Sequence, residues 1–379
     1  MINRYYSDKL AKLIKPNKVL VIYGPRQVGK TTLVNNFLSN YSGKVYKSTG
    51  ENSQLRRVLE SSDFSQIIPF FSSYDLIFID EAQKINNIGQ GLKIIVDQIP
   101  GIKVIATGSS SFDLSNQIGE PLVGRQNIIK LYPLSVSELM AQYGSAYPYE
   151  QINNLLVYGS YPESIMAKSF QNKINIISQI CDSYLLKDIL EIESIKKSKK
   201  LYDLLKLIAF QIGSEVSLQE IGAQLEISKN TVAKYLDLLE KTFVLYNLRP
   251  YFFNQRKAIS KKSKYYFYDL GIRNSIIGNF NPVSSRNDVG ALWENFLVIE
   301  RLKKQAYKPI YSNNYFWRTW EKHEVDWVEM RDGKLYGYEF KWGAKIKIKT
   351  KNKSIWLSSY PKEAVFELVN QNNYLNFIT

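Results

Sequence analysis

The run Gly24-Pro-Arg-Gln-Val-Gly29-Lys30-Thr31 constrains this chain more than any other feature, because its glycine spacing serves one backbone geometry. Val19 to Tyr23 precede it as an apolar run suited to a buried parallel strand. Leu33, Phe37 and Leu38 follow at helical spacing. Glycines at both ends let the backbone wrap around phosphates with its N–H groups inward, and the next helix presents its positive N-terminus to the same charge. The loop therefore predicts an ATP site made of Gly24, Pro25, Arg26, Gln27, Val28, Gly29, Lys30, Thr31 and Thr32. Lys30 is expected at the β- and γ-phosphates and the Thr31 hydroxyl on Mg²⁺.

A second element completes that site. Leu76 to Ile79 form a buried-strand pattern ending in Asp80-Glu81. Asp80 is expected to hold the magnesium opposite Thr31, and Glu81 to act as general base on the attacking water. Lys103 to Ala106 read as another short strand, followed by Thr107-Gly-Ser-Ser110. A hydroxyl there, with Ser109 as candidate, either senses the γ-phosphate or is an ordinary polar strand end. Arg125, in LVGRQ, is a candidate arginine finger. Strands alternating with helices over 1–138 predict an α/β P-loop NTPase domain with a parallel sheet.

Composition narrows the function classes. Cys181 is the sole cysteine and His323 the sole histidine, so a Cys/His zinc site and an intramolecular disulfide are excluded. Lys and Arg number 50 against 35 Asp and Glu, and the net +15 favours phosphate-rich partners such as DNA. The opening MINRYYSDKL lacks a signal-peptide core and no uncharged apolar stretch reaches spanning length. A cytoplasmic protein with no membrane partner is the expectation.

Residues 139–200 read as amphipathic helices forming a helical lid or connector, with a Gly/Pro turn at Tyr158-Gly-Ser-Tyr-Pro162. Over 201–264 the pattern is a winged helix-turn-helix. Ser217-Leu-Gln-Glu220 opens one helix, Ser228 caps a second from Lys229 to about Lys241, and β-rich FVLYNLRPYFF follows. Lys229, Asn230, Thr231 and Lys234 are expected to face a DNA groove, although such helices also serve packing and dimerisation.

Residues 265–379 carry a second constellation. Asp332-Gly333 between alternating runs predicts a two-residue hairpin pairing Arg331 with Lys334. Counting outward places Asp326 opposite Glu339 and Glu324 opposite Lys341, with Val325 and Trp327 on the other, apolar face. Like charges at such positions, roughly 4.5–5.5 Å apart at Cβ, call for a neutralising cation. Mg²⁺ or Mn²⁺ held by Asp326 and Glu339, with Lys341 beside an attacking water, is one answer. A surface ribbon balanced by Lys341 is the other. Lys345, Lys347, Lys349, Lys351 and Lys353 line one face if they continue as a strand.

Asp, then Glu-x-Lys across a hairpin, resembles the PD-(D/E)xK nuclease superfamily, whose members often add a helical glutamate; Glu294 in GALWENFLVIERLKK matches that position. Taken together, GPRQVGKTTL, FIDEAQ, ATGSSS, LVGR…LYPLS, YGSYP, WRT…EVDW and EFK resemble the prokaryotic AAA-type ATPase family with a C-terminal DUF4143 region. That resemblance implies ATP as the nucleotide, a winged helix in the middle, an α/β PD-(D/E)xK-like domain at the end, and Tyr161-Pro162 on the nucleotide base. The expected activity is an Mg²⁺-dependent ATPase coupled to DNA binding and to metal-dependent cleavage by Asp326, Glu339 and Lys341. The alternative is an ATP-switched DNA- or protein-binding regulator with a catalytically inactive nuclease-like fold. A homo-oligomer fits either.

Overall fold

The computed structural model describes residues 2–109, 121–182, 198–252, 262–343, 350–361 and 364–379. The chain divides into two compact units, residues 1–133 with 241–243, and residues 134–240 with 244–379.

The first unit is built on a five-stranded parallel sheet: β1 (Lys18–Tyr23), β2 (Val45–Thr49), β3 (Leu76–Asp80), β4 (Lys103–Gly108) and β5 (Gln126–Lys130), in the order β2-β3-β4-β1-β5. Successive residues of β1, β3 and β4 are buried, which requires cover on both sheet faces and explains why these strands read as unbroken apolar runs. The mixed α/β architecture with a parallel sheet is therefore as expected. β4 lies between the P-loop strand β1 and the Asp80 strand β3, so the C-terminal ends of all three strands converge.

In the second unit, helices Val136–Tyr143, Tyr147–Tyr158, Pro162–Met166 and Phe170–Cys181 come first. A helix (Ser198–Phe210), a short strand β6 (Glu215–Val216) and two helices (Leu218–Leu225 and Lys229–Lys241) follow. Strands β7 (Leu245–Pro250) and β8 (Ser263–Phe267) then pair antiparallel, and β6 adds to β8. Ser217 caps the first of the two short helices by accepting from Glu220 N, and Ser228 caps the second through Thr231 N. Val232, Tyr235, Leu236 and Leu239 are buried, whereas Lys229, Asn230 and Lys234 are exposed and Thr231 is half-buried.

The same sheet continues through β9 (Asn313–Arg318), β10 (Glu324–Arg331), β11 (Lys334–Phe340) and β12 (Ala364–Val369), giving seven strands in the order β12-β11-β10-β9-β7-β8-β6. The Asp332-Gly333 hairpin forms with positive φ at both residues, and Arg331 pairs with Lys334. The ladder ends at Trp327↔Tyr338, one position short of the predicted Asp326/Glu339 pair. A bulge on the β9 side sets Asp326 and Trp327 against Phe316 alone. The bulge also splits the predicted apolar face. Val325 packs with Val328, Leu335 and Trp356, while the Trp327 indole donates to Glu329 Oε1 at 2.9 Å. Glu324 pairs in register with Arg318 rather than facing Lys341.

Lys351 and Lys353 are exposed on a helix, Thr350–Ser359, not on the predicted strand. That helix forms because Trp356 is buried over Gly337, where any Cβ would lie 2.9 Å from the indole. Lys345, Lys347 and Lys349 lie outside the described residues. The YGSYP turn has a structural partner that sequence patterns do not reveal. Asp269 accepts from Ser160 N at 2.7 Å and caps the helix Leu270–Ile276 through Ile272 N. Cys181 is buried, and burial pushes its thiol up to about 12, which leaves no activated nucleophile there.

Candidate functional site

The P-loop joins β1 to the helix Lys30–Leu38. Gly24 is required by close approach, since a Cβ there would lie 2.0 Å from the Leu131 carbonyl oxygen. Gly29 is the helix N-cap at φ 94°, a left-handed conformation that favours glycine. Val28 is buried and Gln27 and Thr32 are exposed. Lys30 is 4% exposed, and its ammonium donates to Gly24 O at 2.9 Å and Pro25 O at 2.8 Å. The amine thus rests on two carbonyls of the loop itself.

Thr31 Oγ1 donates to Asp80 Oδ2 at 2.8 Å, and Thr107 Oγ1 donates to Asp80 Oδ1. Thr31 comes from the first turn of the helix after the P-loop and Thr107 from the end of β4, and both hydroxyls converge on the Asp80 carboxylate at the end of β3. Glu81 follows at φ 49°, a conformation that non-glycine residues adopt at a cost. Its backbone N–H donates to Thr107 Oγ1 at 3.2 Å, and its carboxylate accepts from the Gln83 amide. That amide also donates to Ser109 Oγ at 3.1 Å. Ser110 lies outside the described residues. Arg125 is engaged locally, with its Nε 2.6 Å from Asp97 Oδ1.

Two participants escape sequence reading. Arg4, ahead of the first strand, donates to the Val28 carbonyl in the P-loop and to Tyr132 O at 2.6 Å. It buttresses the loop from 24 residues away and leaves no local pattern. Gln83 sits in the FIDEAQ run but carries no signal of its own. Tyr161 and Pro162 belong to the second unit. Tyr161 is buried and precedes Pro162 at the first turn of a short helix.

The second unit holds the acidic centre. Asp326 and Glu339 are both buried; Phe340 N donates to Asp326 Oδ2 at 2.7 Å, and Lys341 Nζ lies 2.6 Å from Glu339 Oε1. Glu339 Oε2 is buried with no hydrogen-bond partner. Glu294 is committed elsewhere. Its Oε1 accepts from Tyr266 Oη at 2.7 Å and from Lys264 Nζ at 3.1 Å, and the same ammonium reaches Glu324. Lys264 is 1% exposed. Burial pushes its ammonium towards neutrality, but Glu294, Glu324 and Asp326 outweigh that and hold it charged. No local pattern in the sequence marks this lysine, whose partners lie 30 and 60 residues away.

Among the described residues no three His, Cys, Asp or Glu side chains are arranged to hold a metal ion. The predicted set of Glu294, Asp326 and Glu339 therefore does not form one three-carboxylate site, because Lys264 and Tyr266 hold Glu294. Asp326 and Glu339 alone, with the orphaned Glu339 oxygen, fit a hard cation that keeps most of its waters. Among the described residues, Glu215, Glu294, Glu324, Asp326 and Glu339 face only Lys264, Arg318 and Lys341. Fully ionised, the cluster retains negative charge.

That imbalance has a pH consequence. Burial, then the charge of Asp326, push Glu339 up to about 7, and burial with Glu294 raises Asp326. An acid raised on folding supplies stability at acidic pH that is lost as pH climbs from its ordinary value, about 4, through the raised one. Thermal unfolding is expected to show lower stability at pH 8 than at pH 5. Glu339→Gln should shrink that difference and exceed the unmodified protein in stability at pH 8.

Residues 16–140 match the AAA domain family, residues 149–283 a domain of unknown function (DUF8612), and residues 289–376 another (DUF4143). The chain thus combines an AAA domain with a DUF4143 region, as its motifs imply. An uncharacterized protein of Mycobacterium tuberculosis is 27% identical over 338 residues, covering 88% of this chain and 72% of the relative. One from Haemophilus influenzae is 28% identical over 327 residues, covering 80% and 79%. One from Methanocaldococcus jannaschii is 25% identical over 353 residues, covering 88% and 76%. Among solved structures, a signal transduction ATPase with numerous domains and a tetratricopeptide repeat sensor, from Pyrococcus horikoshii, is 16% identical. The match covers 80% of this chain and 46% of that one, with a TM-score of 0.31. DnaA from Aquifex aeolicus bound to AMPPCP is 15% identical, with 62% and 84% covered and a TM-score of 0.28. Superposition is poor in both cases. No helix among the described residues is long and apolar enough to cross a membrane.

Proposed function

We propose that this chain, an AAA domain joined to a DUF4143 region, binds and hydrolyses ATP with Mg²⁺ and uses the nucleotide state to control DNA binding by its second unit. The observation that carries the ATPase reading is Thr31 Oγ1 at 2.8 Å from Asp80 Oδ2, with Lys30 and Glu81 beside them. Thr31 and Asp80 would hold Mg²⁺, which when bound would neutralise charge on the phosphates. Lys30 gives up two neutral carbonyls for phosphate oxygens, so the loop binds by exchange rather than by unfolding. Glu81 accepts the proton of the attacking water. Ser109, directly after β4, is the γ-phosphate contact in this reading.

The DNA reading rests on the net +15 of the chain and on exposed Lys229, Asn230 and Lys234 on the second helix of a winged-helix order. Cleavage is the second reading. The orphaned Glu339 Oε2 beside Asp326 and Lys341 favours it, and the commitment of Glu294 to Lys264 opposes it. The second unit is thus a binding module rather than a nuclease in this reading.

Glu81→Gln tests the ATPase reading. Turnover should fall on the order of 10²-fold while ATP affinity is kept, since only the proton acceptor is lost. Unchanged turnover in that variant would remove Glu81 from the mechanism.

A further inference from the structure

Gln83 makes one contact too few, beside the proposed general base. Its amide nitrogen donates both to the Glu81 carboxylate and to Ser109 Oγ at 3.1 Å. An ionised carboxylate only accepts, so the nitrogen end of this amide must face Glu81, and the carbonyl end is thereby assigned. That carbonyl oxygen, Oε1, is buried and has no hydrogen-bond partner. A buried acceptor left unmade costs about 1–3 kcal/mol unless a water or ligand satisfies it. Here it lies on the side chain that grips the proposed general base, next to Asp80 at the end of β3 and hydrogen-bonded to Ser109 just after β4.

We propose that Gln83 Oε1 is the second acceptor for the attacking water, so that Glu81 and Gln83 orient it together. This rests on the ATPase reading and adds the residue that aims the nucleophile. The water donates one hydrogen to Glu81 and the other to Gln83 Oε1, which turns an oxygen lone pair towards the γ-phosphorus. The water oxygen–phosphorus bond forms as the bond from phosphorus to the β,γ-bridging oxygen breaks. Glu81 takes the proton and later releases it, and the products are ADP and inorganic phosphate. No oxidant or further reactant is required. Because the Gln83 nitrogen also ties Glu81 to Ser109, the same side chain holds the base in line with the end of β4. A residue that lost this amide would keep the nucleotide and lose the geometry of attack.

The test uses the full chain, with ATP affinity and single-turnover hydrolysis measured for the unmodified protein, Gln83→Ala and Gln83→Glu. Gln83→Ala should slow hydrolysis about 10- to 100-fold with affinity essentially unchanged. Gln83→Glu supplies an acceptor but sets a second carboxylate against Glu81, so its rate should rise with pH to a plateau at higher pH than in the unmodified protein. A merely structural role would lower affinity and thermal stability along with rate, and would leave the pH profile in place; that result overturns the proposal. Gln83→Ala at the unmodified rate overturns it as well. If the unmodified protein itself hydrolyses no ATP, the ATPase reading fails first and Gln83 falls with it.

Discussion

Lys30→Ala is expected to remove ATP turnover by on the order of 10³-fold, the upper range for deleting one preorganised electrostatic donor. The reason lies in where the ammonium sits. It is buried at the base of the loop with two carbonyl partners, Gly24 O and Pro25 O, both weaker acceptors than phosphate. A triphosphate offers charged oxygens along the same loop, so the exchange is favourable in the bound state and more so as charge builds on the transferring group. Alanine forfeits that gain and strands the two carbonyls. Affinity for ATP should fall together with turnover, which distinguishes this variant from Glu81→Gln, where binding survives. Arg4 ties the Val28 carbonyl of the loop to Tyr132 O, so its removal should loosen the loop without deleting the Lys30 charge.

The second large effect is on stability. Lys264→Met should destabilise the protein by about 3–5 kcal/mol, the usual cost of removing one partner from a buried ion pair. Its ammonium satisfies Glu294 and Glu324 at 1% exposure, and methionine leaves Glu294 with the Tyr266 hydroxyl and Glu324 with Arg318 at 3.6 Å, with no cation shared between them. Adding Glu294→Gln to Lys264→Met should recover part of the loss, because the penalty belongs to the uncompensated charge and not to the volume. Chemical denaturation of the two variants and the unmodified protein measures both quantities. A loss below 1 kcal/mol (of the order of a surface pair) would mean that the ammonium does not hold the acids as described.

How much was legible beforehand depended on the range of each interaction. The P-loop declares itself because every role within it is local: a strand before, a helix after, glycines where the backbone must turn or approach Leu131 closely. Asp80-Glu81 is equally local, sitting at the end of an apolar run. The hairpin turn was readable from Asp332-Gly333, but the bulge beside Asp326 was not, since it is set by pairing with β9, whose register no turn residue announces. Lys264 was invisible for the same reason. Its partners lie 30 and 60 residues away, and only the folded sheet brings β8 against the helix Val289–Tyr307 and the start of β10. Glu294 was found as a helical acid, yet its actual partners were not. Thr107 was read as part of a polar strand end, whereas its hydroxyl bridges Asp80 and the Glu81 backbone.

The claim that ties the two units together is that nucleotide state governs DNA binding. It is tested most directly by the affinity of Glu81→Gln for labelled single-stranded and duplex DNA, measured by fluorescence anisotropy with Mg²⁺ and ATP, with ADP, and without nucleotide. Strand integrity is read from the same samples. Affinity is expected to differ several-fold between the ATP and ADP states, the difference to be lost in Lys30→Ala, and the DNA to stay intact. Equal affinity in all three states would contradict the coupling, and cleavage abolished by Glu339→Ala would return the acidic centre to catalysis.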